Sequence, residues 1–284
     1  MSLLLGVESG MVKGRRETLK LMAFFDPPPT HTPLSPHSNA SISIGEESPS
    51  RPTLGLRSLS ARTSDGKIRV DNVRVENTVS LHSDYGSIKV DRLTMELAAE
   101  PVNIDANTDA PVSFSHVIMD PYSGVLNING GSGFITLDNI TNLSPGFGLE
   151  EPRSTIVLRT SRGFVQARHI TASKTIAVTT GSASFVGKNI TAGKDFVFNT
   201  ISGNLVIHGL ALAGNGNVYT DSGSVTIYIQ RGAFRGRLYL ITSGTIKVKG
   251  PTVGCCSGGI FSALALEQRV SSDGSFALFL ERFL

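Results

Sequence analysis

Ten times after Thr63 the chain closes a turn, most of them rich in Ser and Thr, on a glycine and then places apolar side chains two and four residues later. The pairs are Ile68 and Val70, Ile88 and Val90, Leu126 and Ile128, Ile135 and Leu137, and Val165 and Ala167. They continue with Ala183 and Phe185, Leu205 and Ile207, Val225 and Ile227, Ile246 and Val248, and Phe276 and Leu278. The positions between them are mostly polar, as at Lys67 and Arg69 or Ser224 and Thr226. Alternation with a period of two sends one set of side chains inward and the other toward solvent. From Gly163 the glycines follow at intervals of 18, 22, 20 and 21 residues, the spacing of a solenoid repeat.

Each copy also carries apolar pairs before the glycine, such as Val79 and Leu81 or Phe196 and Phe198. A further apolar residue stands seven positions after it, at Val73, Leu93, Ile140, Ile170 and Leu210. One copy therefore offers two or three short apolar faces and cannot bury them alone; stacked copies join them into one column. The expected fold is all-β, a single-stranded β-solenoid or β-helix of about 8–10 rungs. At a strand spacing of about 4.8 Å the stack is on the order of 40–50 Å long. Gly66, Gly86, Gly133, Gly163, Gly181, Gly203, Gly223 and Gly244 are its structural turn residues, expected at tight corners where positive φ excludes a Cβ. The Ser, Thr and Asp beside them are expected to bond turn amides.

The rhythm sets the domain boundaries. Residues 1–61 hold most of the prolines among Ser, Thr and His and read as a disordered leader; residues 62–284 read as the solenoid domain. Glu100–Pro121 and Leu143–Pro152 break the period and read as extruded loops, the first alternatively as a rung that lacks its glycine. The Leu-, Phe- and Ala-rich tail, about 258–284, suits a cap over an open sheet edge.

The recurring S-G-x-Φ-x-Φ pattern, where Φ is apolar, resembles the adhesin-like β-solenoid domains of bacteria and fungi. The resemblance rests on Ser64–Val70, Ser83–Val90, Thr200–Ile207, Thr220–Ile227 and Thr242–Val248 and covers about residues 62–250. It implies a surface or structural role and transfers no catalytic residue. Bactofilin-like filament proteins share the repeat class with more regular rungs.

Chemistry-bearing motifs are sparse. Asn107-Thr108-Asp109 matches one short element of polygalacturonases whose companion elements are missing, so a turn explains it better. Gly130-Gly131-Ser132-Gly133 begins like a calcium-binding nonapeptide, but Ile135 stands where the aspartate ligand belongs. Asp65, Asp84, Asp221 and Asp273 recur in the corners and read as turn caps. The adjacent Cys255 and Cys256 lack a metal-binding spacing, and the six histidines pair with no nucleophile motif. No catalytic, cofactor-binding or metal-binding residue is expected, and no cofactor.

A net charge of +3 without a basic run argues against a nucleic-acid partner. No apolar run is long enough to span a bilayer, and no signal peptide is visible. Asn139, Asn142 and Asn189 stand in glycosylation sequons. The resulting expectation is a non-enzymatic adhesion or interaction protein whose partner is a protein or polysaccharide surface, outside the cell or on its surface. The alternatives are a carbohydrate-active β-helix and an intracellular scaffold or filament subunit.

Overall fold

In the computed structural model, the apolar alternation becomes parallel strands stacked in register. The structure describes residues 4–5, 18–24, 41–45, 54–95, 103–120, 124–142, 153–235, 237–250, 264–270 and 276–282, with backbone alone at the two ends and at 231–233. Among these residues there is no helix; a parallel sheet winds into a β-solenoid of about nine turns.

One full rung shows how the winding works. In Ile68–Ser83, Ile68 and Val70 point inward, then Asn72 takes a left-handed backbone with φ of 54°. That bend resets the alternation, so Val73 and Val75 point inward on a second face. The strand runs on through Glu76 and Asn77 to a third face, where Val79 and Leu81 point inward before the Ser83–Gly86 corner closes the rung. Three short faces thus enclose one core, and each inward position forms a file along the stack. The first file runs Ile42, Ile68, Ile88, Val112, Ile135, Val165, Phe185, Leu205, Val225 and Ile246. Nearly all of these side chains are buried.

Packing across files is complementary in volume. Phe185 is larger than its file neighbours Val165 and Leu205, and Gly187 lies two residues on. A Cβ on Gly187 would sit 2.8 Å from the Phe185 ring and 2.9 Å from Ile190. Phe185 meets Phe196 and Phe198 across the core at centroid distances of 6.4 and 6.1 Å, both tilted rather than stacked.

Several sequence expectations change register. Gly124 opens no first-face strand: Leu126 and Ile128 belong to the third face, in register with Ile156 and Leu158. The stretch around Pro111 is a complete rung without its glycine, with Asn103–Asn107 on the third face and Val112–Met119 on the first two. Gly181 precedes its slot by two residues, so Ala183 occupies the turn position and Phe185, not Ala183, heads the strand. Phe276–Arg282 is no rung; it pairs antiparallel with Arg237–Thr242 and with Leu264–Val270. The interruption at 143–152 lies outside the described residues.

The stack also begins upstream of Arg62. Ile42–Gly45 pairs parallel with the start of Ile68–Ser83, Leu54–Thr63 follows the second and third faces of that strand, and Thr18–Phe24 pairs parallel with Leu54–Thr63. The prolines between 27 and 52 lie outside the described residues. They mask in composition the short alternations Ile42-x-Ile44 and Leu59-x-Ala61, whose inward residues are buried.

Candidate functional site

The glycine corners are held by a mechanism other than positive φ. None of the eight turn glycines has positive φ; among the described residues the glycines that do are Gly45, Gly131 and Gly209. The reason for glycine is close approach between rungs. A Cβ on Gly163 would lie 1.7 Å from the Gly133 carbonyl oxygen, one on Gly203 1.8 Å from that of Ala183, and one on Gly223 1.9 Å from that of Gly203. Gly86 faces the Gly66 carbonyl in the same way, and Gly133 that of Ala110.

Beneath every one of these corners except that of Gly133 lies a buried hydroxyl. The file runs Thr63, Ser83, Thr108, Thr160, Thr180, Thr200, Thr220 and Thr242, interrupted between Thr108 and Thr160 by Gly130. Each hydroxyl can accept from a backbone N–H of its own turn and donate to a carbonyl of the rung before. Gly86 N–H donates to Ser83 at 2.8 Å while Ser83 donates to the Gly66 carbonyl at 3.1 Å. Gly203 N–H donates to Thr200 at 3.0 Å while Thr200 donates to the Gly181 carbonyl at 3.0 Å. Where Ala183 replaces the glycine, Thr180 donates within its own rung, to the Ala183 carbonyl at 2.8 Å. Thr108 of the Asn-Thr-Asp triplet belongs to this file and donates to the Gly86 carbonyl. These corner residues are structural, and they set the rungs close enough for outward side chains to form continuous rows.

The outward chemistry gathers at the corner between the first and second faces. Asn72, Arg92, His116, Asn139, His169 and Asn189 all have φ of 52–55° there, and Gly209 follows at 85°. Left-handed backbone favours Asn and Gly, so the sequons at Asn139 and Asn189 coincide with structural Asn positions. Both are exposed, whereas Asn142 is half-buried and its side-chain carbonyl accepts from the Ser154 hydroxyl at 2.9 Å.

The residues before these corners, continued in register by Tyr228 and Lys249, form a second file: Asp71, Asp91, Ser115, Asp138, Arg168, Lys188, His208, Tyr228 and Lys249. In its first half Asp71 and Asp91 are neutralised, while half-exposed Asp138 has His169 Nδ1 at 3.7 Å. Asp71 is buried and paired with Arg92, with Arg69 at 3.6 Å. Asp91 receives Arg92 at 3.2 Å, His116 Nδ1 at 2.9 Å and the Ser115 hydroxyl at 2.8 Å. Partial burial raises the Asp91 pKa, but His116, Ser115 and Arg92 outweigh it and hold the carboxyl below its ordinary value. Ser115, His116 and Asp91 are the three residue types of a hydrolytic triad in another geometry: the carboxylate binds both partners, and among the described residues no hydrogen bond joins the imidazole to the serine hydroxyl. The second half of the file is cationic and aromatic. The His208 ring stacks on Tyr228 at 4.7 Å and 15°, and the Lys249 ammonium lies over the same Tyr228 at 5.8 Å.

Asp65 and Asp84, both expected as turn caps, occupy different turn slots, since Tyr85 N–H donates to the Ser64 carbonyl and Asp109 N–H to that of Asp84. His82 bonds Asp84 at 2.8 Å. Asp273, Cys255, Cys256, His31 and His37 lie outside the described residues. Among the described residues no three His, Cys, Asp or Glu side chains converge as a metal site would require, and no helix is long and apolar enough to cross a membrane. The sequence reading missed the left-handed corner; the signal that could have found it is the recurrence of Asn or His directly before the apolar residue of the second face. No protein-family model, curated protein or solved structure matches the chain.

Proposed function

We propose that this chain is a non-enzymatic adhesion or interaction module that displays its lateral surface outside the cell. The observation that carries the reading is the alignment of outward side chains into files over about nine turns. Such a surface suits contacts spread along an extended partner, with many weak interactions adding up. The exposed sequons at Asn139 and Asn189 are compatible with a secreted chain. The antiparallel strand Phe276–Arg282 on the last third-face strand favours a self-contained stack over an end-to-end filament, because parallel rungs do not continue across it.

The test is the location of the native protein, by surface fractionation together with an N-glycosidase mobility assay. A surface-exposed, glycosylated chain supports adhesion. An unglycosylated cytosolic chain overturns it in favour of an intracellular scaffold.

A further inference from the structure

Charge divides along the solenoid. Residues 54–142 contain seven Lys and Arg against eleven Asp and Glu, whereas residues 163–250 contain nine against two. The two carboxylates of the second segment, Asp195 and Asp221, lie on the third face and in a corner turn. From Gly163 onward the described first and second faces carry no carboxylate and present Arg168, Lys188, His208, Lys247 and Lys249. All five are exposed, and among the described residues Arg168, Lys188 and Lys249 form no ion pair.

From this geometry we infer that the file Arg168–Lys188–His208–Tyr228–Lys249 binds an acidic polysaccharide, a linear glycan bearing carboxylate or sulfate groups, laid along the stack. The inference rests on the adhesive reading above and gives it a ligand class. Parallel pairing sets successive side chains about 4.8 Å apart, comparable to the advance of one sugar in an extended glycan, so each rung meets about one anionic residue. The file is one side chain wide, which fits a single strand. Tyr228 holds Lys249 over its ring while stacking on His208, so part of the row is ordered before ligand arrives and less freedom is lost on binding. Half-buried Gln166 and Thr226 on the first face, with Val186 and Val206 between them, and half-buried Thr171 and Thr191 past the corner flank the file; the Gln and Thr groups are able to hydrogen-bond sugar hydroxyls. A single-stranded nucleic acid fits less well, because its sequence-tolerant binding uses aromatic platforms and both sides of Tyr228 are already taken.

The experiment measures retention and titration of the full chain on polygalacturonate and on dextran sulfate, with neutral dextran and an oligothymidylate as comparators. The wild type is expected to bind one or both acidic polymers with salt-dependent affinity, and neutral dextran not at all. Arg168→Glu/Lys188→Glu is expected to weaken that binding roughly tenfold or more. Lys67→Glu/Lys89→Glu, the same charge change on exposed first-half positions, is expected to leave it within about twofold. Arg168→Gln/Lys188→Gln guards against a misfolded charge-reversal variant, and circular dichroism checks all three. Equal loss in both pairs of variants, stronger binding of the oligothymidylate, or no binding to either acidic polymer overturns the inference. So does salt-sensitive self-association without polymer, since the acidic half of a second copy would then be the occupant. Adhesion of the wild type and of Arg168→Glu/Lys188→Glu to intact cells separates the two ideas. Undiminished adhesion by the variant refutes the file and leaves the module; no adhesion by wild type that still binds a polymer refutes the module and leaves the file.

Discussion

The rungs between Ile68 and Asn142 and those between Val165 and Lys249 are built on one plan and use it differently. In the first group the heads of the first face, Ile68, Ile88, Val112 and Ile135, are separated by 20, 24 and 23 residues. In the second group Val165, Phe185, Leu205 and Val225 are spaced evenly by 20. The first group carries Asp71 and Asp91 at its outward corner and neutralises them with Arg92 and His116; the second leaves its cations facing solvent. The lesson is that the core and the outward files are nearly independent. A period-two strand lets the inward set satisfy packing while the outward set varies, so one scaffold can carry paired acids on one stretch of a file and solvent-facing cations on the next.

The sharpest way to break this comparison is to place a charge at the same inward file in each half. Val90→Asp and Ile227→Asp both bury an unpaired carboxylate at positions of 0% exposure and should each cost more than about 4 kcal/mol. Urea denaturation gives the loss, and limited proteolysis shows whether the other half survives. Survival of one half would make the two groups separate cooperative units; joint collapse would make the column a single one.

Gly203→Ala should cost about 1–3 kcal/mol through its collision with the Ala183 carbonyl. Ala183→Gly, at the turn where Thr180 already lacks the cross-rung bond, should change thermal stability by less than about 1 kcal/mol. Equal effects would show that the close approach is not what selects glycine.

Thr200→Val removes an acceptor for Gly203 N–H and a donor to the Gly181 carbonyl, and should cost about 1–3 kcal/mol. Ser83→Ala makes the same cut in the first half, where Gly66 and Gly86 are the groups left unpaired. A loss in only one half would mean that the hydroxyl file supports the rungs unequally.

The smallest effect is confined to the first half. Because the folded Asp91 pKa is lowered, its stabilisation is present above the ordinary carboxylate pKa and is lost as pH falls through the folded value. Asp91→Asn should therefore flatten the acid limb of a stability–pH curve and leave the alkaline limb unchanged. An unchanged acid limb would mean that His116, Ser115 and Arg92 do not favour the ionised form.

Much of the fold was legible. Ile88 and Val90, Leu205 and Ile207, or Val225 and Ile227 state inward positions by alternation alone, because a strand permits no other periodicity. Ala183 misled for a local reason: Gly181 imitates the turn glycine two residues early, and sequence spacing cannot see which residue faces the carbonyl of the rung before. Leu126 and Ile128 misled because an apolar pair after a glycine has the same local pattern on any face.

The candidate site was less legible, since it is assembled across rungs. Arg168, Lys188, His208, Tyr228 and Lys249 stand 20 or 21 residues apart, and nothing in their immediate neighbours marks them as one row. The sequence by itself determined that the chain is a repetitive all-β solenoid and which residues of most strands point inward, because inward alternation is a local property. Only the tertiary structure decided the register between rungs, the close approach that selects glycine and the partition of charge along one corner, because these depend on which residues the stacking of one turn on the next brings side by side.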